Sequence, residues 1–286
     1  MSTNQFPTVA VLGAGTMGAG IAQVCAQAGS RVVLQDIKDE FVSRGRQRIE
    51  ESLAIGVQKQ KVTPELRDAT LGRLSVTTDR AGAVRDADLV IEAVPEVLEL
   101  KNGIFRELAG ACRPDTVLAT NTSSLSLANV FAGVSHPGRC IGMHWFNPPP
   151  IMKLVEVVRL ATTDQAVIGR VLAYATACGK EPILVKDSPG FASSRLGVCL
   201  GLEAIRMVEA GVASPEDIDK AMVLGYGHPM GPLRLTDLVG LDVRMAIADY
   251  LRKELDHPSF EVPELMRRMV AEGKLGKKSG KGFYQW

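Results

Sequence analysis

The residues best placed to do chemistry in this chain are a histidine and a glutamate in two successive apolar runs. His144 stands in Gly142-Met143-His144-Trp145-Phe146-Asn147-Pro148-Pro149-Pro150, a β-rich run that passes into a rigid loop. Glu156 stands in the next run, Lys153-Leu154-Val155-Glu156-Val157-Val158, flanked by valines and sharing its face with Leu154 and Val158. A carboxylate in such a strand must find a partner or give up its charge. If the two runs form a hairpin centred near Pro150, residues equidistant from that proline lie opposite each other. His144 then faces Glu156, with Cβ atoms about 5 Å apart. A histidine oriented by a buried carboxylate has a fixed tautomer and exchanges a proton near neutral pH, which makes it a general base. Such a base can take a hydroxyl proton while hydride leaves the same carbon. The pair also reads as a structural ion pair around a core histidine, and spacing alone leaves both readings open. A third candidate is Asn121-Thr122-Ser123-Ser124-Leu125, directly after the run Thr116–Thr120. It reads either as a helix cap or as a hydroxyl, that of Ser123, at the carboxyl edge of a parallel sheet, where ligands of open α/β folds bind.

Those residues need a frame, and the pattern supplies one. Strand-like runs fall at Val9–Leu12, Arg31–Gln35, Leu74–Thr77, Leu89–Glu92, Thr116–Thr120, Cys140–His144, Leu154–Val158 and Pro182–Val185. Helical stretches lie between most of them, roughly Met17–Ala28, Glu40–Lys59, Glu96–Ala111 and Ala166–Cys178. The alternation predicts an α/β fold with a parallel sheet covered on both faces. After Asp187 the character changes to helix, with no convincing strand before the last few residues. Ser214-Pro215-Glu216-Asp217 is an N-cap, a proline at the first helical position and two acids in the first turn. Gly231-Pro232 and Val262-Pro263-Glu264 open further helices. The expected organisation is a Rossmann-type doubly wound domain over residues 1–187 and a smaller all-helical domain over 188–286.

Gly13-Ala14-Gly15-Thr16-Met17-Gly18 is a GxGxxG, weak by itself in a chain with 28 glycines. Its setting makes it specific. It follows the run Val9–Leu12, opens a helical stretch that Gly29 ends, and is followed by a second β-branched run closed by Asp36. Gly13 allows the tight turn, Gly15 lets backbone approach a pyrophosphate, and Gly18 lets helix pack on strand. The helix N-terminus offers free N–H groups to phosphate. Asp36 accepts from ribose hydroxyls and repels a 2′-phosphate, which selects NAD over NADP.

A formal net charge of +1 gives no general field for nucleic acid or membrane surfaces. No apolar run is long enough to span a bilayer, and the N-terminus carries no secretory pattern. Five scattered cysteines (Cys25, Cys112, Cys140, Cys178 and Cys199) without a CxxC pair fit a reducing cytoplasm. Four histidines without ligand spacing argue against a metal site.

Taken together, VLGAGTMGAGIAQ, NTSSLS, GMHWFNPPPIMKLVEVV, KDSPGF, ASPEDIDKAM, HPMGPLRLTDLVGLD and GKKSGKGFY resemble the short-chain L-3-hydroxyacyl-CoA dehydrogenases, bacterial 3-hydroxybutyryl-CoA dehydrogenases in particular. The resemblance covers almost the whole chain. It implies oxidation of a 3-hydroxyacyl-CoA by NAD, with His144 as base, Glu156 as its partner and Ser123 on the reacting oxygen. It assigns NAD contacts to Gly13–Gly18, Asp36, Glu96, Lys101, Ser123 and Lys278. It assigns coenzyme A contacts to Ser52 and Lys59, and makes Asn147 a substrate contact. It also implies a homodimer whose helical domain closes the cleft. On charge alone, Lys59 reads as a solvated lysine and Lys278 as part of a mobile basic tail. One position departs from the family pattern: in Pro189-Gly190-Phe191-Ala192-Ser193-Ser194-Arg195, Ser194 stands where an asparagine that touches substrate is usual. Two alternatives remain. One is a related dehydrogenase of a sugar acid or of an acyl group on a carrier protein. The other is a cofactor-binding regulator that lost turnover, against which the intact His144, Glu156 and Ser123 set argues.

Overall fold

Valine-, leucine- and isoleucine-rich runs separated by helix-length segments can bury both faces of a strand only by stacking into a parallel sheet under helices. The computed structural model, which describes residues 5–286, shows this arrangement up to Ser188. The elements run β1 (Thr8–Leu12), α1 (Thr16–Gln27), β2 (Arg31–Gln35), α2 (Asp39–Gln58), α3 (Pro64–Gly72), β3 (Leu74–Thr77), α4 (Arg80–Arg85), β4 (Leu89–Glu92), α5 (Leu98–Ala111), β5 (Val117–Thr120), α6 (Leu127–Val130), β6 (Cys140–Trp145), β7 (Leu154–Arg159), α7 (Gln165–Ala177) and β8 (Glu181–Lys186). The sheet order is β3-β2-β1-β4-β5-β6-β7-β8. Its first six strands have the doubly wound dinucleotide-binding order. Only β6 and β7 pair antiparallel, as a hairpin that sets His144 opposite Glu156.

Strands β4, β5 and β6 are buried along their whole length. A polar side chain in them must therefore be satisfied from within. Glu92, Thr120 and His144 are such exceptions, and they lie toward the carboxyl ends of their strands. At the far edge β8 is mostly exposed, so the expected covering of both faces does not reach the last strand. Helix ends differ from the expected bounds by a residue or two. Helices α3 and α4 fall where no helix was expected. The signal for α3 was present: Thr63 accepts from the Leu66 N–H and Pro64 follows it, the same cap chemistry that opens the Ser214 helix.

The second compact unit, Pro189–Trp286, is helical: α8 (Ser193–Glu209), α9 (Pro215–Tyr226), α10 (Pro232–Val239), α11 (Leu241–Leu255) and α12 (Glu264–Ala271). Ser214 caps α9 by accepting from the Asp217 N–H. The core comprises Leu202, Ile205, Leu233, Leu241, Leu251 and Met266. The last residues are tied down rather than mobile. Buried Asp237 accepts from the Phe283 and Tyr284 N–H groups, both at 2.9 Å, and from the Trp286 indole at 3.0 Å. A Cβ on Gly276 or Gly282 would collide with Asp237, which explains those two glycines of the segment. Isolated bridges, and no strand, occur among the described residues there.

Candidate active site

His144 and Glu156 sit on neighbouring strands whose register is fixed by the Pro148–Lys153 loop. The His144 Nδ1–H donates to Glu156 Oε2 at 2.7 Å. Glu156 is fully buried and His144 is 7% exposed. With Nδ1 committed, Nε2 is the basic nitrogen. Phe146 packs against the ring at 4.5 Å between centroids. His144, Phe146, Asn147, Ser123, Asn121, Glu96, Lys101 and Met17 line one cavity of about 330 Å³.

The loop that carries Ser123 is held at both ends by carboxylates. At its start, Glu96 Oε1 accepts from Thr122 Oγ1 at 2.5 Å and from the Ser123 N–H at 2.9 Å. At its end, Asp187 accepts from Ser126 Oγ and from the Leu127 and Ala128 N–H groups. Between them, Asn121 Oδ1 accepts from the Trp145 N–H and ties the loop to the histidine strand. Thr122 takes the local turn-capping role by accepting from the Leu125 N–H. The Ser123 hydroxyl makes no hydrogen bond among the described residues, which favours its reading as a ligand-facing group over a cap.

Beneath this loop lies a buried charge network. Lys101 is 1% exposed and its Nζ reaches Glu92 at 2.7 Å and Glu96 at 3.1 Å. Glu92, fully buried, also accepts from Thr120 Oγ1 and from the Val94 N–H, each at 2.7 Å. Burial acts to raise the Glu96 carboxyl, but the Lys101 charge, the Thr122 hydroxyl and the Ser123 N–H outweigh it and hold that group below the ordinary carboxylate range. Lys101 is therefore anchored first by carboxylates, whatever further contact it makes with a ligand. Sequence reasoning missed Glu92. The argument that singled out Glu156, a carboxylate in an apolar strand, applies equally to Leu89-Val90-Ile91-Glu92. Likewise Lys101 shares a helix face with buried Ile104, Phe105 and Leu108, a stripe in which a lysine is out of place.

The glycine-rich turn borders a larger cavity, about 620 Å³, lined by Gly13–Met17, Asp36, Ile37 and Phe41 among others. Gly13 has φ +100°, and a Cβ there would lie 2.6 Å from the Ala93 carbonyl oxygen. A Cβ on Gly18 would fall 1.7 Å from the Gly13 carbonyl oxygen. Gly15 differs: a Cβ there would stand in open space, with no heavy atom within 4 Å. Helix α1 begins at this point with no side-chain cap and no acid in its first turn, so its free N–H groups face that space. This cradle fits a dinucleotide pyrophosphate. Asp36 also has a structural role unseen in the sequence, since Oδ2 accepts from the Ala14 N–H and Oδ1 from the Ile37 N–H, both at 2.7 Å.

Ser52, on α2, lines a separate cavity of about 230 Å³ with Gly20, Gln23, Arg48 and the proline-rich loop. Lys59 is the exposed residue just past the end of α2 and lines none of these cavities. Ser194 and Lys278 lie in the helical unit. Ser194 is half-buried in the first turn of α8, and Lys278 pairs with Asp242. Among the described residues, no group of three or more His, Cys, Asp or Glu side chains could hold a metal ion, and no helix is long and apolar enough to cross a membrane.

A doubly wound sheet, a pyrophosphate cradle and an acid–base pair at the carboxyl edge define an NAD-binding dehydrogenase. Residues 8–188 match the family 3-hydroxyacyl-CoA dehydrogenase, NAD binding domain, and residues 190–286 match 3-hydroxyacyl-CoA dehydrogenase, C-terminal domain. The chain belongs to the 3-hydroxyacyl-CoA dehydrogenase family. It is 48% identical to the 3-hydroxybutyryl-CoA dehydrogenase of Mycobacterium tuberculosis, over 97% of this chain and 98% of that one. It is 42% identical to the human mitochondrial hydroxyacyl-coenzyme A dehydrogenase, over 97% of this chain and 90% of the other. The crystal structure of (S)-3-hydroxybutyryl-CoA dehydrogenase from Ralstonia eutropha superposes with a TM-score of 0.95 at 41% identity, covering 98% of this chain and 99% of that one.

Proposed function

We propose that this enzyme interconverts a short-chain L-3-hydroxyacyl-CoA, such as 3-hydroxybutyryl-CoA, and the 3-ketoacyl-CoA. The observation that carries the reading is His144, paired behind with Glu156, lining the same cavity as Ser123 beside the dinucleotide cradle. In the oxidative direction His144 Nε2 takes the proton of the 3-hydroxyl. Glu156 holds the Nδ1–H tautomer and stabilises the imidazolium that results. The Ser123 hydroxyl donates to the reacting oxygen, and Asn147 contacts the substrate from the loop. Bound NAD supplies the hydride acceptor. In reduction the imidazolium returns its proton to the ketone oxygen.

Further roles follow from the resemblance. Ser52 and Lys59 meet coenzyme A, while Glu96, Lys101 and Lys278 serve the cofactor. Ser194 sits near the acyl group, with a water in place of the longer asparagine arm. The helical unit serves substrate placement and a homodimer. Exposed Leu196, Val212, Leu224 and Tyr226 on that unit, each more than 60% accessible, support an apolar interface. A cytoplasmic setting accords with five free cysteines, and a role in fatty acid metabolism follows from the resemblance.

The test is acetoacetyl-CoA reduction followed at 340 nm with NADH. Turnover is expected, with Lys59→Ala raising KM for the CoA substrate and reducing the salt dependence of its binding. No turnover of acetoacetyl-CoA, with turnover of a sugar acid or of a carrier-bound substrate, would overturn the reading.

A further inference from the structure

Gln23 is an oddity in α1. The residue is 3% exposed, yet its side-chain amide makes no hydrogen bond among the described residues. A buried, unpaired amide is costly. The buried orphan atoms sealed from solvent belong to Arg139, Trp145, Asp242 and Arg244. The Gln23 amide is not among them because it opens onto the cavity of about 230 Å³ that it lines with Thr16, Arg48, Ser52 and the proline-rich loop.

Three elements build this slot. Positions 16, 20 and 23 lie on one face of α1. Positions 48 and 52 lie on one face of α2. The loop closes the third side, held by close packing, since a Cβ on Gly20 would come within 2.8 Å of the Pro149 ring. A buried ammonium fixes the same loop, with Lys180 Nζ donating to the Pro149 and Met152 carbonyls at 2.6 and 2.9 Å. The walls are otherwise apolar: Ala19, Ile49, the prolines and Ile151.

The slot adjoins the cofactor's place, sharing Thr16 and Arg48 with it, but its Gln23 wall lies outside that place. Gln23 lies seven residues along α1 from Thr16, about 10 Å from the helix end that faces the pyrophosphate cradle. It does not line the larger cavity there. The one cation of the slot, Arg48, is exposed, whereas the buried wall offers the uncharged Gln23 amide, which suits a neutral polar group better than a phosphate. A carboxamide presents an acceptor and two donors in one plane, which complements another amide. A narrow apolar slot with an amide at its buried wall and a half-buried Ser52 hydroxyl fits a chain of alkyl and amide groups.

We infer that Gln23 recognises an amide group of the pantetheine arm of the acyl-CoA. The inference rests on the acyl-CoA reading above. It is tested with Gln23→Leu and Gln23→Met, assayed beside wild type on acetoacetyl-CoA, acetoacetyl-pantetheine and the amide-free ethyl thioester of acetoacetate. Both variants are expected to raise KM at least fivefold for the first two substrates. The kcat, the KM for NADH and the kcat/KM for the ethyl thioester stay within twofold of wild type. A KM for acetoacetyl-CoA within twofold of wild type overturns the inference. So does an equal loss on the ethyl thioester or in NADH affinity, because Gln23 would then act through packing of α1. If wild type itself does not reduce acetoacetyl-CoA, the functional reading fails, and the role of Gln23 falls with it.

Discussion

The two ends of the α/β unit solve their problems with different materials. The phosphate cradle and the acid of the nucleotide end come from one contiguous stretch, Gly13 to Asp36, and the cradle works through backbone: a turn that only glycine allows, a close helix–strand approach and free N–H groups. The reacting end is assembled from β4, α5, β5, β6 and β7, and works through side chains, among them the buried charges of Glu92, Lys101 and Glu156. Its acid–base pair and its Ser123 loop rest on Glu92, Lys101, Glu96, Asn121 and Asp187, spread over nearly 100 residues of chain. A backbone device tolerates little change in shape but carries no charge. A side-chain network tolerates isosteric change in shape but fails when one charge is removed, because the remaining partners are left uncompensated.

The sharpest way to break this contrast is to remove a charge at the reacting end without changing volume. His144→Gln is expected to lower kcat by roughly 10²–10⁴, the range for loss of a general base, with NADH affinity unchanged within about threefold. Glu156→Gln slows turnover by a smaller factor, since the imidazolium loses its counter-charge while the ring remains. Steady-state kinetics and NADH fluorescence titration give both quantities. Near-normal kcat in His144→Gln would remove the mechanism, and matched losses of kcat and NADH affinity would show that the two ends are not separable.

At the nucleotide end the complementary change adds one methyl group. Gly15 has φ −67°, which any residue adopts, and open space above it. Gly15→Ala is therefore expected to fold normally, with Tm within about 2 °C of wild type. The methyl group stands where the pyrophosphate belongs, so NADH binding weakens by about tenfold, or ~1.4 kcal/mol. Wild type should prefer NADH to NADPH by at least tenfold in kcat/KM, about 1.4 kcal/mol, because Asp36 faces the same cavity. Unchanged NADH affinity in Gly15→Ala would place the phosphates elsewhere, and equal use of the two cofactors would remove the discriminating role of Asp36.

The same contrast explains what was legible beforehand. The nucleotide end was readable because its parts are neighbours in sequence and each has a local geometric reason. The His144–Glu156 pair was readable because a hairpin is also local, and its register follows from the position of the loop. Glu92 and Lys101 were not connected, although each is anomalous in its own element and only nine residues separate them, because the loop between β4 and α5 has no periodic pattern that sets the helix face against the strand end. The Thr120 contact to Glu92 depends on a parallel register that no local pattern fixes. Asp187 was invisible for the same reason, since it acts on a segment 60 residues earlier. In the helical unit, Ser214 and Pro215 announced the start of α9. The C-terminal segment gave charge and glycine but no hint that buried Asp237 organises it, so charge alone misread Lys278.

The smallest effect tests whether the side-chain network at the reacting end holds the fold as well as the site. Glu96 has a carboxyl lowered below the ordinary range: burial opposes this, and Lys101, Thr122 and the Ser123 N–H prevail. For an acid whose folded value lies below its unfolded one, the unfolded chain binds more protons in the interval between the two. The stabilisation is therefore complete above the unfolded value, near 4.5, and is lost as pH falls through the folded value. The Glu96 side chain is 37% exposed, so solvent screens the contribution and the surface-pair range applies. In Glu96→Gln, Lys101 keeps Glu92 as its partner, which limits the damage further. Wild type is thus expected to exceed Glu96→Gln in Tm by about 1–3 °C at pH 7. The gap holds down to about pH 5 and closes toward pH 3. Calorimetry of both proteins across that range measures it. A gap that stays constant to pH 3 would mean that the amide substitution disturbs packing rather than charge. A gap that widens on acidification would reverse the sign of the Glu96 shift, and with it the view that Lys101 and the Ser123 loop hold this carboxylate ionised.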